Sequence, residues 1–104
     1  MIFVETNIFT DDIKALLSDD EYAKFQAYLA ENPLAGDVIQ QTGGLRKIRW
    51  SAKGKGKRGG VRVIYYYVLP DSQIRLLLIY QKGRQDNLTA QQKKVLRQLN
   101  ERWQ

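Results

Sequence analysis

Val61-Arg62-Val63-Ile64-Tyr65-Tyr66-Tyr67-Val68-Leu69, then Pro70-Asp71-Ser72, then Ile74-Arg75-Leu76-Leu77-Leu78-Ile79-Tyr80-Gln81, is the stretch that decides the fold. Both flanking runs are rich in β-branched, aromatic and aliphatic side chains, the composition that fits a pleated, half-buried surface. The proline between them has its φ already set for a turn. Together they predict a hairpin. Successive side chains of a strand point to opposite faces, so Val61, Val63, Tyr65 and Tyr67 share one face and Arg62, Ile64 and Tyr66 the other. The first set is assigned to the core. The run from Ile74 to Gln81 is apolar on both faces, which suits a central strand.

Upstream, Leu45 to Trp50 reads as a further strand, with Ile48 and Trp50 on the core face and Lys47 and Arg49 on the other. A loop from Ser51 to Gly60 joins it to Val61. Three consecutive strands with short links make an antiparallel meander. Residues 2–5 suggest a short first strand and residues 10–17 a brief helix carrying Ile13, Leu16 and Leu17. Ser18-Asp19-Asp20-Glu21 is a capping box, and behind it Tyr22, Phe25 and Leu29 recur at helical spacing. Asn32-Pro33 ends that helix. Residues 34–44 form a connector closed by Gly43-Gly44. Downstream, Lys82 to Asn87 is a polar loop, and Thr89-Ala90-Gln91-Gln92 is a second capping box. It opens a last helix with Val95, Leu96, Leu99 and Trp103 on one side. The order β-α-α-β-β-β-α implies an α+β domain over residues 1–104, its helices covering the apolar face of the sheet. A chain of 104 residues fits one such domain.

Charge is divided along this chain. Residues 1–40 hold two basic and eight acidic side chains, and residues 41–104 hold 15 basic and three acidic, within a net charge of +6. Such asymmetry points to a polyanionic partner, nucleic acid before a membrane surface, because no basic amphipathic helix with a broad apolar face is present. There is no cysteine and no histidine. That excludes disulfides and thiolate zinc sites, and removes the commonest acid–base residue and metal ligand. No apolar run reaches the roughly 18 residues that suggest a membrane span. Met1-Ile2-Phe3-Val4-Glu5 meets an acid at once and lacks the basic start of a signal peptide, so a cytoplasmic location is expected.

The chemistry concentrates between Arg46 and Arg62. These 17 residues hold Arg46, Lys47, Arg49, Lys53, Lys55, Lys57, Arg58 and Arg62, and no acid. A lone exposed lysine is ordinarily a solvated charge, but an unrelieved run repels itself unless an anion sits there. If the two strands pair across the loop, Lys47, Arg49 and Arg62 form one cationic patch on the sheet. The Gly54, Gly56 and Gly59 match to G-x-G-x-x-G is accidental, because a strand rather than a helix follows it. Tyr65 and Tyr67 belong to the core face, while Tyr66 and Tyr80 are candidates for base stacking. No cofactor is expected. A two-metal nuclease needs clustered carboxylates, and this stretch has none. Metal-independent cleavage fits better. In it the ribose 2′-hydroxyl attacks its own phosphate, the substrate is RNA, and cations stabilise the developing charge.

Several motifs resemble HigB-type toxins of the RelE superfamily over nearly the whole chain. They are Gly43-Gly44-Leu45-Arg46-Lys47-Ile48-Arg49, the run from Gly56 to Tyr66, Tyr80-Gln81-Lys82, and Asp86-Asn87-Leu88-Thr89, with Asn32-Pro33 and Gly36-Asp37-Val38-Ile39 in the connector. The resemblance implies a curved antiparallel sheet with helices packed on one face. It also implies metal-independent cleavage of mRNA on the translating ribosome, and neutralisation by a cognate antitoxin, expected to be a small helix-turn-helix protein. Carried over by motif, the catalytic cations are Lys47, Arg49, Arg62 and Lys82. Arg46, Lys53, Lys55, Lys57, Arg58 and Arg84 are then RNA- or ribosome-binding. Relatives carry an Arg directly after the last lysine and an aromatic residue near the final helix; here Gly83 and Leu88-Thr89 stand there. Arg84 is the candidate replacement for the first, and Tyr66 or Tyr80 for the second. The free chain is expected to be a monomer. The competing expectation is a non-catalytic RNA- or ribosome-binding protein that uses the same patch.

Overall fold

The computed structural model describes residues 1–51, 60–83 and 87–103. The chain runs β1 (Ile2–Glu5), α1 (Asn7–Leu16), α2 (Asp19–Glu31), β2 (Asp37–Val38), β3 (Arg46–Trp50), β4 (Val61–Val68), β5 (Gln73–Gln81) and α3 (Ala90–Glu101). The expected α+β class and element order are observed. The strands form one sheet in the order β1-β5-β4-β3-β2. The meander β3-β4-β5 is antiparallel, and β5 is an interior strand.

Four features depart from the sequence reading. The sheet is mixed, because β1 pairs with β5 in parallel, Ile2 opposite Gln73 and Glu5 opposite Leu76. A parallel pair needs a long crossover, and α1 and α2 lie in the chain between these two strands. The connector holds the two-residue strand β2, too short to show any period. Helix α1 starts at Asn7, not at residue 10, because the Thr6 side chain caps it by accepting from the Phe9 N–H.

The fourth departure is the largest: helices cover both faces of the sheet. On one face α1 and α2 bring Phe9, Ile13, Leu17, Phe25 and Leu29 onto Ile48, Val61, Val63, Tyr65, Ile74, Leu76 and Ile79. Phe25 meets Trp50 edge-on, ring centroids 5.3 Å apart. Tyr22 ties α2 to β1 by donating to Glu5 Oε2 at 2.5 Å. Burial, and then that carboxylate, push the Tyr22 hydroxyl pKa well above the usual phenol range. On the opposite face α3 sets Leu96 over Leu45, Ile64 and Leu77, with Tyr66, Leu78, Tyr80 and Trp103 around them. The β4–β5 register shifts between Ile64 and Tyr65, so Leu77 is the extra residue and adjacent Leu77 and Leu78 both serve this second cluster.

The buried stripe of α3 is Leu96 and Asn100, with Val95 and Leu99 largely exposed. Asn100 takes an inward place because Arg75 Nη1 donates to both its backbone oxygen and its Oδ1, each at 3.1 Å. Both expected capping boxes are present, Ser18 with Glu21 and Thr89 with Gln92.

Candidate nucleic-acid interface

Backbone register places the cations. Ile48 and Trp50 of β3 pack with the α1–α2 core, as do Val61 and Val63 of β4. By alternation Lys47, Arg49 and Arg62 therefore point to the other face, the one that α3 partly covers. Arg49 lies directly opposite Arg62 in the β3–β4 ladder, and Lys47 lies opposite Ile64. Lys82, the first residue after β5, is held at the same end, its N–H donating to Gly60 O at 3.0 Å. A Cβ on Gly60 would stand 3.9 Å from Arg62 Nη1 and 4.0 Å from Lys82 Cβ. Arg49, Arg62 and Lys82 thus gather at one corner of the sheet, and Lys47 stands two residues further along β3 on the same face.

That corner carries an electrostatic cost. Like charges directly opposite each other across a strand pair are destabilising. Among the described residues the ion pairs are Lys24 with Asp20 and Arg97 with Glu101, neither of which touches these four. Arg49 and Lys82 are exposed, and Lys47 and Arg62 half-buried. Asp37 is the cross-strand partner of Lys47, so the Arg49–Arg62 pair is the part of this surface with no acid opposite it in the ladder. Such a pair is suited to an anion, and a guanidinium presents two parallel donors that match phosphate oxygens.

The other cations separate from this group. Arg46 shares the face of Ile48 and Trp50, and its Nη1 donates to Gly36 O at 2.7 Å and Leu34 O at 3.3 Å, pinning the connector. The structure does not bring it to the patch. Lys53, Lys55, Lys57, Arg58 and Arg84 lie outside the described residues. Arg75, which no motif singled out, is a sheet-to-helix clamp. Its Cζ lies 5.8 Å from the Tyr66 ring centroid and 5.4 Å from that of Trp103, beside its bonds to Asn100.

Tyr66 and Tyr80 are both half-buried packing partners of the second core. Tyr66 also lies against Gly44, where an added Cβ would stand 3.3 Å from its ring at a φ of +105°. Tyr80 is the cross-strand partner of Arg62, so it borders the patch. Tyr65 is buried in the first core, where its hydroxyl accepts from the Gly36 N–H and donates to Pro33 O. Among the described residues no group of three or more Asp, Glu, His or Cys is gathered as a metal site. No helix among them is long and apolar enough to cross a membrane.

Three helices and a five-stranded mixed sheet in this order make an α+β fold of the RelE-like kind. No family model matches the chain. Among solved structures, the isolated E. coli RelE toxin is similar, with a TM-score of 0.56 over 94% of this chain and 97% of that one, at 11% sequence identity. At that identity the likeness is one of fold.

Proposed function

We propose that this chain is a ribosome-dependent mRNA endonuclease, a toxin of the RelE superfamily and of its HigB type, acting without a metal ion and held in check by a cognate antitoxin. The observation that supports this reading is the directly opposed pair Arg49 and Arg62 with Lys82 at the same corner of a RelE-like sheet, and Lys47 next along the same face. In the reaction the ribose 2′-oxygen attacks the adjacent phosphorus and gives up its proton. The bond from phosphorus to the 5′-oxygen breaks, and that oxygen takes a proton. The products are a 2′,3′-cyclic phosphate and a 5′-hydroxyl. Arg62 stands on a paired strand, and its guanidinium suits the non-bridging oxygens on which charge builds. Arg49 and Lys47 flank it to orient the phosphate, and Lys82 lies nearest the end of β5. Without histidine, proton transfer falls to this cationic group or to groups of the ribosome.

The test is mass spectrometry of cleavage products from programmed ribosomes. Cyclic-phosphate ends paired with 5′-hydroxyl ends are expected, because that is the outcome of 2′-oxygen attack. Ends bearing a 3′-hydroxyl, the mark of metal-activated water, would overturn the mechanism. Binding to ribosomes without any cut would favour the non-catalytic reading.

A further inference from the structure

The ladder between β1 and β5 stops at Leu76. There the chain turns into α1, the Thr6 N–H donating to Leu76 O at 3.0 Å and Thr6 Oγ1 to Leu77 O at 2.8 Å. Beyond that point β5 has no strand on this side among the described residues. The gap is a cleft of about 210 Å³ between α1 and the end of β5, lined by Asp12, Ala15, Leu16, Ile79, Tyr80 and Gln81. Its walls combine apolar surface, one aromatic ring, one amide and one carboxylate. It is smaller than the roughly 300–1,000 Å³ of sites for drug-sized ligands, which suits a single heterocycle.

Its position ties it to the patch. Tyr80 pairs across the sheet with Arg62, and Gln81 immediately precedes Lys82. Ile79 packs with the α1–α2 core and Tyr80 with the α3 core, so the cleft opens around the bare edge of β5 from one face to the other. Tyr80 and Lys82, two residues apart along an extended strand, are separated by roughly 6.5 Å. One nucleotide can therefore keep its phosphate on the cations while its base turns around the edge.

We infer that this cleft is a base-recognition subsite that selects guanine next to the phosphate held by Arg62 and Lys82, a reading that rests on the RNA-cleaving function proposed above. The selectivity follows from hydrogen-bond inventory. An ionised carboxylate only accepts, and it binds best to two parallel donors. Among the four RNA bases guanine alone presents two adjacent donors, N1–H and N2–H, on its Watson–Crick edge. Adenine and cytosine each set one donor beside an acceptor, and uracil sets one donor between two acceptors. The Gln81 amide can donate to guanine O6, while Ala15 and Leu16 of α1 and the Ile79–Tyr80 edge of β5 supply the apolar walls.

The experiment has two arms, each with the full chain. In the first, 3′-GMP, 3′-AMP, 3′-CMP and 3′-UMP are titrated while backbone amide resonances of Ala15, Leu16, Ile79 and Gln81 are followed by NMR. 3′-GMP is expected to bind about tenfold more tightly than the others, the discrimination one good bidentate pair supplies. Asp12→Asn should erase that preference, since an amide offers a donor beside an acceptor. Asp11→Asn, which removes the same charge one residue away and outside the cleft, should keep it. Equal binding of the four nucleotides, or equal loss of preference in both variants, overturns the inference. So does a cleft that ignores nucleotides and shifts only with a basic peptide. In the second arm, cleavage positions on ribosome-bound mRNA are mapped by primer extension. Wild type should favour guanine at one fixed position beside the cut, and Asp12→Asn should lose that bias. Cutting with an unchanged pattern in Asp12→Asn sinks the subsite and leaves the endonuclease standing. Selective 3′-GMP binding without any cleavage sinks the endonuclease and leaves the subsite standing.

Discussion

The β4–β5 pair contains two arginine–tyrosine couples on the same face of the sheet, Arg75 opposite Tyr66 and Arg62 opposite Tyr80. Their fates differ. Arg75 is closed in. The end of α3 delivers the Asn100 carbonyl and side-chain oxygens to its Nη1, and Trp103 and Tyr66 stack against it. Arg62 has Arg49 on its other flank and Lys82 nearby, and no described ion pair reaches it. A half-buried guanidinium must find acceptors or be costly. At the first couple the fold supplies them, and the arginine becomes part of the architecture. At the second they are left for a ligand to supply. Neither residue type nor strand position separates the two roles; the arrival of a helix end does.

The sharpest break between the couples is expected from Arg62→Ala. Losing one electrostatic stabiliser of a charged transition state costs about 2.7–4 kcal/mol, or a hundred- to a thousandfold in rate. Single-turnover cleavage at saturating ribosome should fall by that factor, while the melting temperature holds or rises slightly, because the repulsion from Arg49 across the ladder is relieved. Normal cleavage by Arg62→Ala would place the chemistry elsewhere.

Ionic strength separates the couples next. If the four cations of the open corner each meet a phosphate, ribosome affinity should drop roughly 50- to 150-fold between 50 and 200 mM salt, by counterion release. Removing Lys47 or Arg49 should lower the slope by about one each, and Arg75→Met should leave it untouched. A flat salt response would mean the corner does not meet RNA.

Arg75→Met should show the reverse pattern. It deletes hydrogen bonds from a charged donor and two aromatic contacts, and leaves the inward Asn100 without its partner. A loss of about 2–3 kcal/mol in folding stability is expected from chemical denaturation. Cleavage by the fraction that remains folded should stay close to normal. A large fall in its cleavage rate would show that the clamp also sets the patch.

Much of this was legible in the sequence, for identifiable reasons. The meander was visible because Val61–Val68 and Gln73–Gln81 are long and strongly β-forming, and the caps because each is a local four-residue pattern. Period-two alternation also put Arg46 with Ile48 and Trp50, but its place in a run of cations outweighed that signal, although the structure gives Arg46 to connector carbonyls. The placement of α3 on the far face was not legible. It depends on the pairing of Arg75 with Asn100, two polar residues 25 positions apart that no periodicity connects. The same holds for the parallel pairing of β1. The cleft exists only because that strand stops at Glu5 while β5 runs on to Gln81.

The mildest probe asks whether the two ends of the sheet face are independent. Thr89 caps α3, its side chain accepting from the Gln92 N–H at 3.1 Å while Gln92 Oε1 accepts from the Thr89 N–H at 2.9 Å. A helix of 12 residues is marginal by itself, and α3 is held by its cap, by Leu96 and Trp103, and by the Arg75 clamp. Thr89→Ala removes the first of these and should cost about 1 kcal/mol. Amide exchange in the first turn of α3 should quicken, while the last turn, fastened by Asn100 to Arg75, stays protected. The mutated cap is only seven residues along the chain from Lys82, yet nothing in the β3–β4 ladder that carries Lys47, Arg49 and Arg62 depends on it. Single-turnover cleavage should therefore remain within about twofold of wild type, far from the loss expected for Arg62→Ala. If cleavage instead collapses while exchange changes only at the cap, the start of α3 is positioning Lys82. The open corner would then be governed by the same helix that closes the other end.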